Sequence, residues 1–237
     1  MMRNGVKIIG LAAVAALAMT ALAVQEAVTL KRVIKVGDSA KYHLKATLEG
    51  AQFGDAELNA TVTEKVTKLA DSGDYELQST MSDGKVTVGG QEMEIPSQDA
   101  TVTTYNALGQ ALSIKDPSGD PNSMRLAHLQ SLIFPKTPVK VGDSWTVTIK
   151  KDDKGSVDAE GTYKVEGTEK VGDYDTLKIS GNYKETGGDT PASSTGTYWI
   201  NIKDGTLVKL VGSMKQAPYP QVGPMDAKIV LTLDGVK

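Results

Sequence analysis

Apolar residues along most of this chain recur at every second position. Ala40, Tyr42, Leu44, Ala46 and Leu48 alternate with Lys41, His43, Lys45, Thr47 and Glu49. Successive side chains of a strand point to opposite faces, so the pattern predicts a strand with one face buried and one in water. Thr101-Val102-Thr103-Thr104-Tyr105 repeats the theme, and Trp145, Val147 and Ile149 are set against Thr146 and Thr148. Near the end, Ile229, Leu231 and Leu233 alternate with Lys228, Val230, Thr232 and Asp234. Thr and Val are abundant, and both suit a pleated surface. Asp83-Gly84, Asp204-Gly205 and Asp234-Gly235 supply the positive φ that tight turns need, and Gly73-Asp74 and Gly172-Asp173 do similar work. The predicted class is mainly β, with antiparallel strands in a sandwich, barrel or curved sheet.

One segment breaks the period of two. Pro121-Asn122-Ser123 precedes Met124, Leu126, Leu129, Leu132 and Ile133, with Pro135 just beyond. A capping residue, helical apolar spacing and a terminating proline predict one short helix over 123–133. Two stretches read as exposed loops. One is Gly187 to Ser194, small and polar. The other is Ala217 to Pro224, whose three prolines argue against pairing as a central strand.

The chain also resembles itself. Val36-Gly37-Asp38-Ser39 recurs as Val141-Gly142-Asp143-Ser144, and Thr63-Glu64-Lys65-Val66 recurs as Thr168-Glu169-Lys170-Val171. Gly73-Asp74-Tyr75 matches Gly172-Asp173-Tyr174, and Leu108 to Leu112 loosely matches Asp204 to Val208. Blocks kept in order are the mark of a repeat. The expected organisation is two related β-rich halves, 24–121 and 139–237, joined by the helix and a Pro-containing linker at 122–138.

The first 23 residues stand apart. Arg3 and Lys7 precede an apolar run from Ile8 that ends in Ala21-Leu22-Ala23. The run is shorter than the ~18 residues of a membrane-spanning helix and reads as a secretory signal peptide cleaved near Ala23. The expected location is extracytoplasmic, periplasmic or secreted, with no retained membrane span. The full chain carries 26 Lys+Arg against 29 Asp+Glu, so removing Arg3 and Lys7 moves the net charge from −3 to −5. An acidic chain argues against nucleic acid and anionic lipid surfaces as partners. Only Arg32 and Arg125 follow Arg3, which weakens readings that need bidentate recognition of anions. With no Cys, stability must come from a packed core, and thiol chemistry is excluded.

No catalytic constellation emerges. His43 sits on the polar side of its strand and His128 in the helix, and no Gly-x-Ser-x-Gly elbow accompanies either. The acidic run from Asp152 to Glu160 lacks the spacing of an EF-hand, while Asp116 to Asn122 could hold calcium through loop oxygens or simply form a solvated turn. No catalytic residue, metal ligand or cofactor is assigned. The candidate binding residues are aromatic: Trp145, Trp199 and Tyr219. Both Trp are read mainly as core beneath a sheet, and Tyr219 as the exposed aromatic.

The segment Leu132-Ile133-Phe134-Pro135-Lys136-Thr137-Pro138-Val139-Lys140-Val141-Gly142-Asp143-Ser144-Trp145 resembles the central signature of a family of exported bacterial β-rich proteins of unknown function. In that family a phrase like Phe-Pro-x-x-Pro-Val-x-Val-Gly-Asp-x-Trp joins two β-rich halves. The Gly161-Thr162-Tyr163 to Lys178-Ile179 stretch and the Thr197-Tyr198-Trp199 to Gly205 hairpin look similar to it, so the likeness spans most of residues 30–235. It implies a β fold and an envelope location, and brings no catalytic residues.

The leading expectation is a non-enzymatic envelope protein that binds an apolar ligand, such as an acyl chain between sheet and helix, or a protein partner. The partner would be a lipid or another envelope protein. The alternatives are a polysaccharide-binding adhesion module using exposed Trp and Tyr, and a hydrolase without a recognisable motif. A lined apolar cavity separates the first from the second, which expects a filled core.

Overall fold

The computed structural model describes residues 26–49, 54–219 and 223–236; the expected signal segment at 1–23 lies outside them. Val28, Leu30, Arg32 and Ile34 turn inward, while Thr29, Lys31, Val33 and Lys35 are exposed or face outward. Backbone hydrogen bonds pin this segment across one end of the molecule. Val28 exchanges two with Val139 (2.7 and 2.9 Å), and the Val33 N–H donates to the Asp204 carbonyl at 2.8 Å.

Strands β1 (Ser39–Glu49), β2 (Ala56–Leu69), β3 (Tyr75–Val88), β4 (Gln91–Ile95), β5 (Thr101–Tyr105) and β6 (Ala111–Lys115) form the first half. Helix α1 (Ser123–Gln130) follows. The second half holds β7 (Ser144–Ile149), β8 (Ala159–Val171), β9 (Tyr174–Glu185), β10 (Ser193–Asn201), β11 (Leu207–Tyr219) and β12 (Gly223–Leu233). The two halves are not two sheets. They form one 12-stranded sheet in the order β6-β5-β3-β2-β1-β12-β11-β10-β9-β8-β7, with β4 added to β3. Every pairing is antiparallel, and β1 joins β12 over eight residue pairs from Tyr42↔Leu233 to Glu49↔Asp226. The outermost strands, β6 and β7, are consecutive in the chain. The connection between them crosses the sheet's inner face, and α1 lies on that crossing, packed against β6, β10 and β11.

The helix stops at Gln130, earlier than the apolar spacing to Ile133 suggests. Ser131 turns extended, and its hydroxyl donates to the Ala127 carbonyl at 2.6 Å, taking up a last-turn acceptor. Nor is the start capped by the Asn122 side chain. The Ser123 hydroxyl bonds the Asp116 carboxylate instead, and the Asn122 N–H donates to Asp120 Oδ1 at 2.7 Å.

The proline-rich stretch does pair in part: Ala217, Pro218 and Tyr219 lie opposite Met225, Pro224 and Gly223 in the β11–β12 hairpin. On the other side of β11, pairing with β10 ends at Lys215, so Pro218 lies beyond that ladder and its missing N–H breaks no bond there.

The two halves share turn and bulge geometry. Gly37 donates to Val66 at 2.9 Å and Val66 donates back to Asp38; Gly142 and Val165 repeat this, with Val165 donating to Asp143. Each strand then carries a bulge, after Val66 in β2 and after Val165 in β8. The counterpart of Val66 is therefore Val165, not the Val171 that the Thr-Glu-Lys-Val match selects. Bulges at Thr104/Tyr105 and Trp199/Ile200 likewise place Thr103 opposite Tyr198 in the comparison. Counting back from these anchors, Ala40 corresponds to Trp145, Glu64 to Tyr163 and Thr103 to Tyr198.

That correspondence accounts for where the core sits. In the second half Tyr163, Tyr198, Val165, Leu177, Ile179 and Ile200 pack with Leu129, Ile133 and Phe134 beneath α1 and its following loop. Trp145 stacks on Tyr163 with ring centres 5.4 Å apart, and its indole N–H donates to the Ile133 carbonyl at 2.9 Å. Gly181 makes room for these rings, because a Cβ there would come within 2.9 Å of Tyr163 and 3.0 Å of Tyr198. The first half has smaller or charged residues at the matching positions, and among the described residues Val66, Tyr75 and Leu77 form a small separate buried cluster there.

Candidate functional site

Where the first half lacks those rings, a cavity of about 490 Å³ opens between the sheet and α1. This is within the usual size range of small-molecule sites. Leu44, Ala46 and Leu48 of β1, Leu58 and Val62 of β2, and Ile229 and Leu231 of β12 form the floor. Leu126 and Ala127 of α1, then Leu132 and Phe134, form the roof. Alternation places the floor residues on one face of their strands, and many are only half-buried because they border empty space. The lining is mainly apolar.

The ends differ. One end is lined by Tyr219, whose burial pushes its phenol up to about 12. At the other end, where the N-terminal segment crosses, Arg32, Glu64, Tyr75, Thr103 and Tyr105 face the cavity. Arg32 sits on the inward side of its segment, after Leu30, and Glu64 continues the apolar face of Leu58, Ala60 and Val62. Both are half-buried and line the cavity. Neither side chain makes a hydrogen bond or an ion pair within 4 Å among the described residues. Burial pushes the Glu64 carboxyl up, with the Arg32 field opposing it. For Arg32, burial acts to lower the pKa, and the fields of Tyr75 and Glu64 more than offset it, so the guanidinium stays charged. Burial also raises the Tyr75 and Tyr105 phenols, keeping both as O–H donors, and the two rings stack at 5.4 Å.

A second polar group fastens the roof. Arg125 grips Glu185 with two bonds, Nε to Oε1 at 2.9 Å and Nη2 to Oε2 at 2.6 Å. Nη2 also donates to the Thr190 carbonyl, and the Ala192 N–H donates to Glu185 Oε2, both at 2.7 Å. The carboxylate has no solvent exposure and the guanidinium 15 %. The Ser194 hydroxyl adds a bond to the Leu129 carbonyl at 2.7 Å. The helix above the cavity is thus tied to β9, β10 and the loop between them.

His128 is on the opposite side of α1 from the cavity. It is 2 % exposed, its Nε2 is 3.3 Å from the Ser156 hydroxyl, and its Nδ1 has no partner. Burial lowers its pKa, with Asp152 and Glu185 opposing. The unfolded chain therefore takes up this proton more readily than the folded one. Stability should hold above the unfolded value of about 6.5 and decline as pH falls below it. Thermal melts between pH 7.5 and 5 should show that decline, and His128→Leu should flatten it. An unchanged slope in the variant would remove His128 as its source.

The aromatic candidates separate. Tyr219 lines the cavity but is half-buried rather than exposed. Trp145 belongs to the filled half of the core and is absent from the cavity wall. Trp199 faces the outer side, not the core: its indole N–H donates to Glu169 Oε2 at 3.0 Å, and Lys178 and Lys209 lie 5.3 and 5.1 Å from the ring centre. These side chains cover it to 8 % exposure. His43 is exposed and bonded to Asp234 at 3.1 Å. Asp116 spends its oxygens on Ser118 and Ser123, and no cluster of three metal-ligating side chains occurs among the described residues. Arg32 and Glu64 were visible in the sequence as charges interrupting an apolar parity, Val28-Leu30-Arg32-Ile34 and Leu58-Ala60-Val62-Glu64-Val66.

No helix among the described residues is long and apolar enough to cross a membrane. No protein-family model matches the chain, and no curated protein matches it. Among solved structures, it is similar to the hypothetical lipoprotein YmcC of Escherichia coli K12, at 14 % identity over 81 % of this chain and 82 % of that one, with a TM-score of 0.35. It is also similar to a DUF1329 family protein from Desulfovibrio piger, at 11 % identity over 85 % of each chain, with a TM-score of 0.23. At these scores, neither likeness assigns a family or a function to the chain.

Proposed function

We propose that this protein binds one single-chain apolar ligand in the cavity between the first half of the sheet and α1, without chemical turnover. The observation that carries the reading is the asymmetry of the core: the sheet's inner face is packed with side chains at β7–β9, and a cavity is left beneath α1 from β10 across β12 and β1 to the first-half strands. A methylene group takes roughly the volume of a water molecule, about 30 Å³ in the liquid, so about 490 Å³ accommodates on the order of sixteen such groups. That suits one acyl chain rather than the several chains of a whole membrane lipid. Each buried methylene contributes about 0.8 kcal/mol, enough in sum to exceed the cost of immobilising the ligand. The apolar run ending at Ala23 supports export, so the ligand would be met in the cell envelope.

The surface-binding reading has less support, since Trp145 and Trp199 are covered. The test is titration of the purified protein with a fluorescent polyene fatty acid. Saturation at one ligand per chain, reversed by palmitate, is expected. Fluorescence that grows linearly without saturating would contradict an internal site.

A further inference from the structure

We propose that the occupant is a long-chain fatty acid, lying along β1 with its carboxylate at Arg32. This rests on the apolar-ligand reading and adds the chemistry of the head. A cavity for a purely apolar molecule gains nothing from a charge in its wall, because an enclosed, unpaired charge is costly. This one has a guanidinium at one end, five donors in a planar fork that matches a carboxylate, and that guanidinium makes no hydrogen bond to any described side chain. The Tyr75 and Tyr105 hydroxyls are further donors on the same end. Among the described residues, Glu64 is the carboxylate whose field acts on Arg32, and it balances that charge through space without bonding it. The donors of the guanidinium thus remain open to an incoming anion. A raised Glu64 pKa lets that carboxyl take a proton and donate when the second carboxylate arrives.

The cavity has the matching polarity along its length. From Leu44, near the charged end, to Leu48, the floor runs four residue steps along β1, roughly 13 Å of apolar wall. A chain anchored by its head at Arg32 ends among Leu48, Leu58 and Tyr219.

The experiment compares palmitate, hexadecanol and hexadecylamine as competitors of the fluorescent probe. Palmitate should displace it at least tenfold more effectively than the alcohol, and the amine should compete worst. In Arg32→Gln the preference for acid over alcohol should vanish while the alcohol's affinity stays within about twofold. Should that variant fail to fold with Glu64 left uncompensated, Arg32→Met combined with Glu64→Gln removes both charges and should give the same loss of preference. Equal affinity for acid and alcohol in the unaltered protein would overturn the head assignment and leave the apolar site standing. Preference for the amine would overturn it in favour of Glu64 as the anchor. Displacement by none of the three would remove both the head assignment and the apolar site.

Discussion

Arg125→Met should destabilise the fold by about 3–5 kcal/mol, the usual cost of removing one member of a buried ion pair. The cost comes from what is left behind: Glu185 has a fully buried carboxylate, and Arg125 supplies both of its guanidinium bonds. The reverse truncation is milder, because Arg125 keeps 15 % exposure and can reach water. Glu185→Gln should therefore cost less than Arg125→Met, and the double variant should recover part of the loss. Urea unfolding gives all three values from the midpoint, provided the slope is unchanged. A loss under about 1 kcal/mol for Arg125→Met would show that the pair behaves like an exposed one. Leu126 and Ala127 follow Arg125 directly and form the cavity roof, so probe affinity should fall together with stability.

Thr103→Tyr should abolish probe binding with little loss of stability. Thr103 occupies the position that Tyr198 holds in the filled half, and it faces the cavity. A ring added there has empty space to enter, so it gains buried area rather than overpacking. Binding should weaken more than a hundredfold, and the urea midpoint should stay level or rise. Ala127→Phe, reaching down from α1, gives the same test from the opposite wall. A Thr103→Tyr protein that folds normally and still binds the probe with unchanged affinity would place the ligand elsewhere.

Much of the strand pattern is readable directly from period-two alternation, and the short helix from its spacing and its flanking proline. Those signals are local and need no knowledge of partners. Three features depended on contacts that local pattern does not encode. The halves merge into one sheet because β12 pairs with β1 across nearly the whole chain length. Pro218 is tolerated because its pairing with β10 ends before it, at Lys215, a matter of strand length and not of turn residues. Trp199 is buried from the outside by two lysines and a glutamate, on the face where alternation expects water.

The site was half legible. An apolar ligand between sheet and helix is an expectation of the sequence, but the place of the cavity follows from Ala40, Glu64 and Thr103 standing where Trp145, Tyr163 and Tyr198 stand in the second half. Aligning the halves on shared words misses this, because the Thr-Glu-Lys-Val match is out of step with the paired strands. The scarcity of Arg argues against anion recognition when only composition is counted. Only two follow Arg3, yet one faces the cavity and the other ties down its roof.

A ligand held in the cavity beneath α1 should copurify with the protein. Native mass spectrometry of the protein purified without detergent from its producing cells, followed by organic extraction, addresses it directly. A population heavier by one species of fatty-acid mass per chain is expected in the unaltered protein and not in Thr103→Tyr. Adducts of equal mass and abundance in both proteins would contradict it.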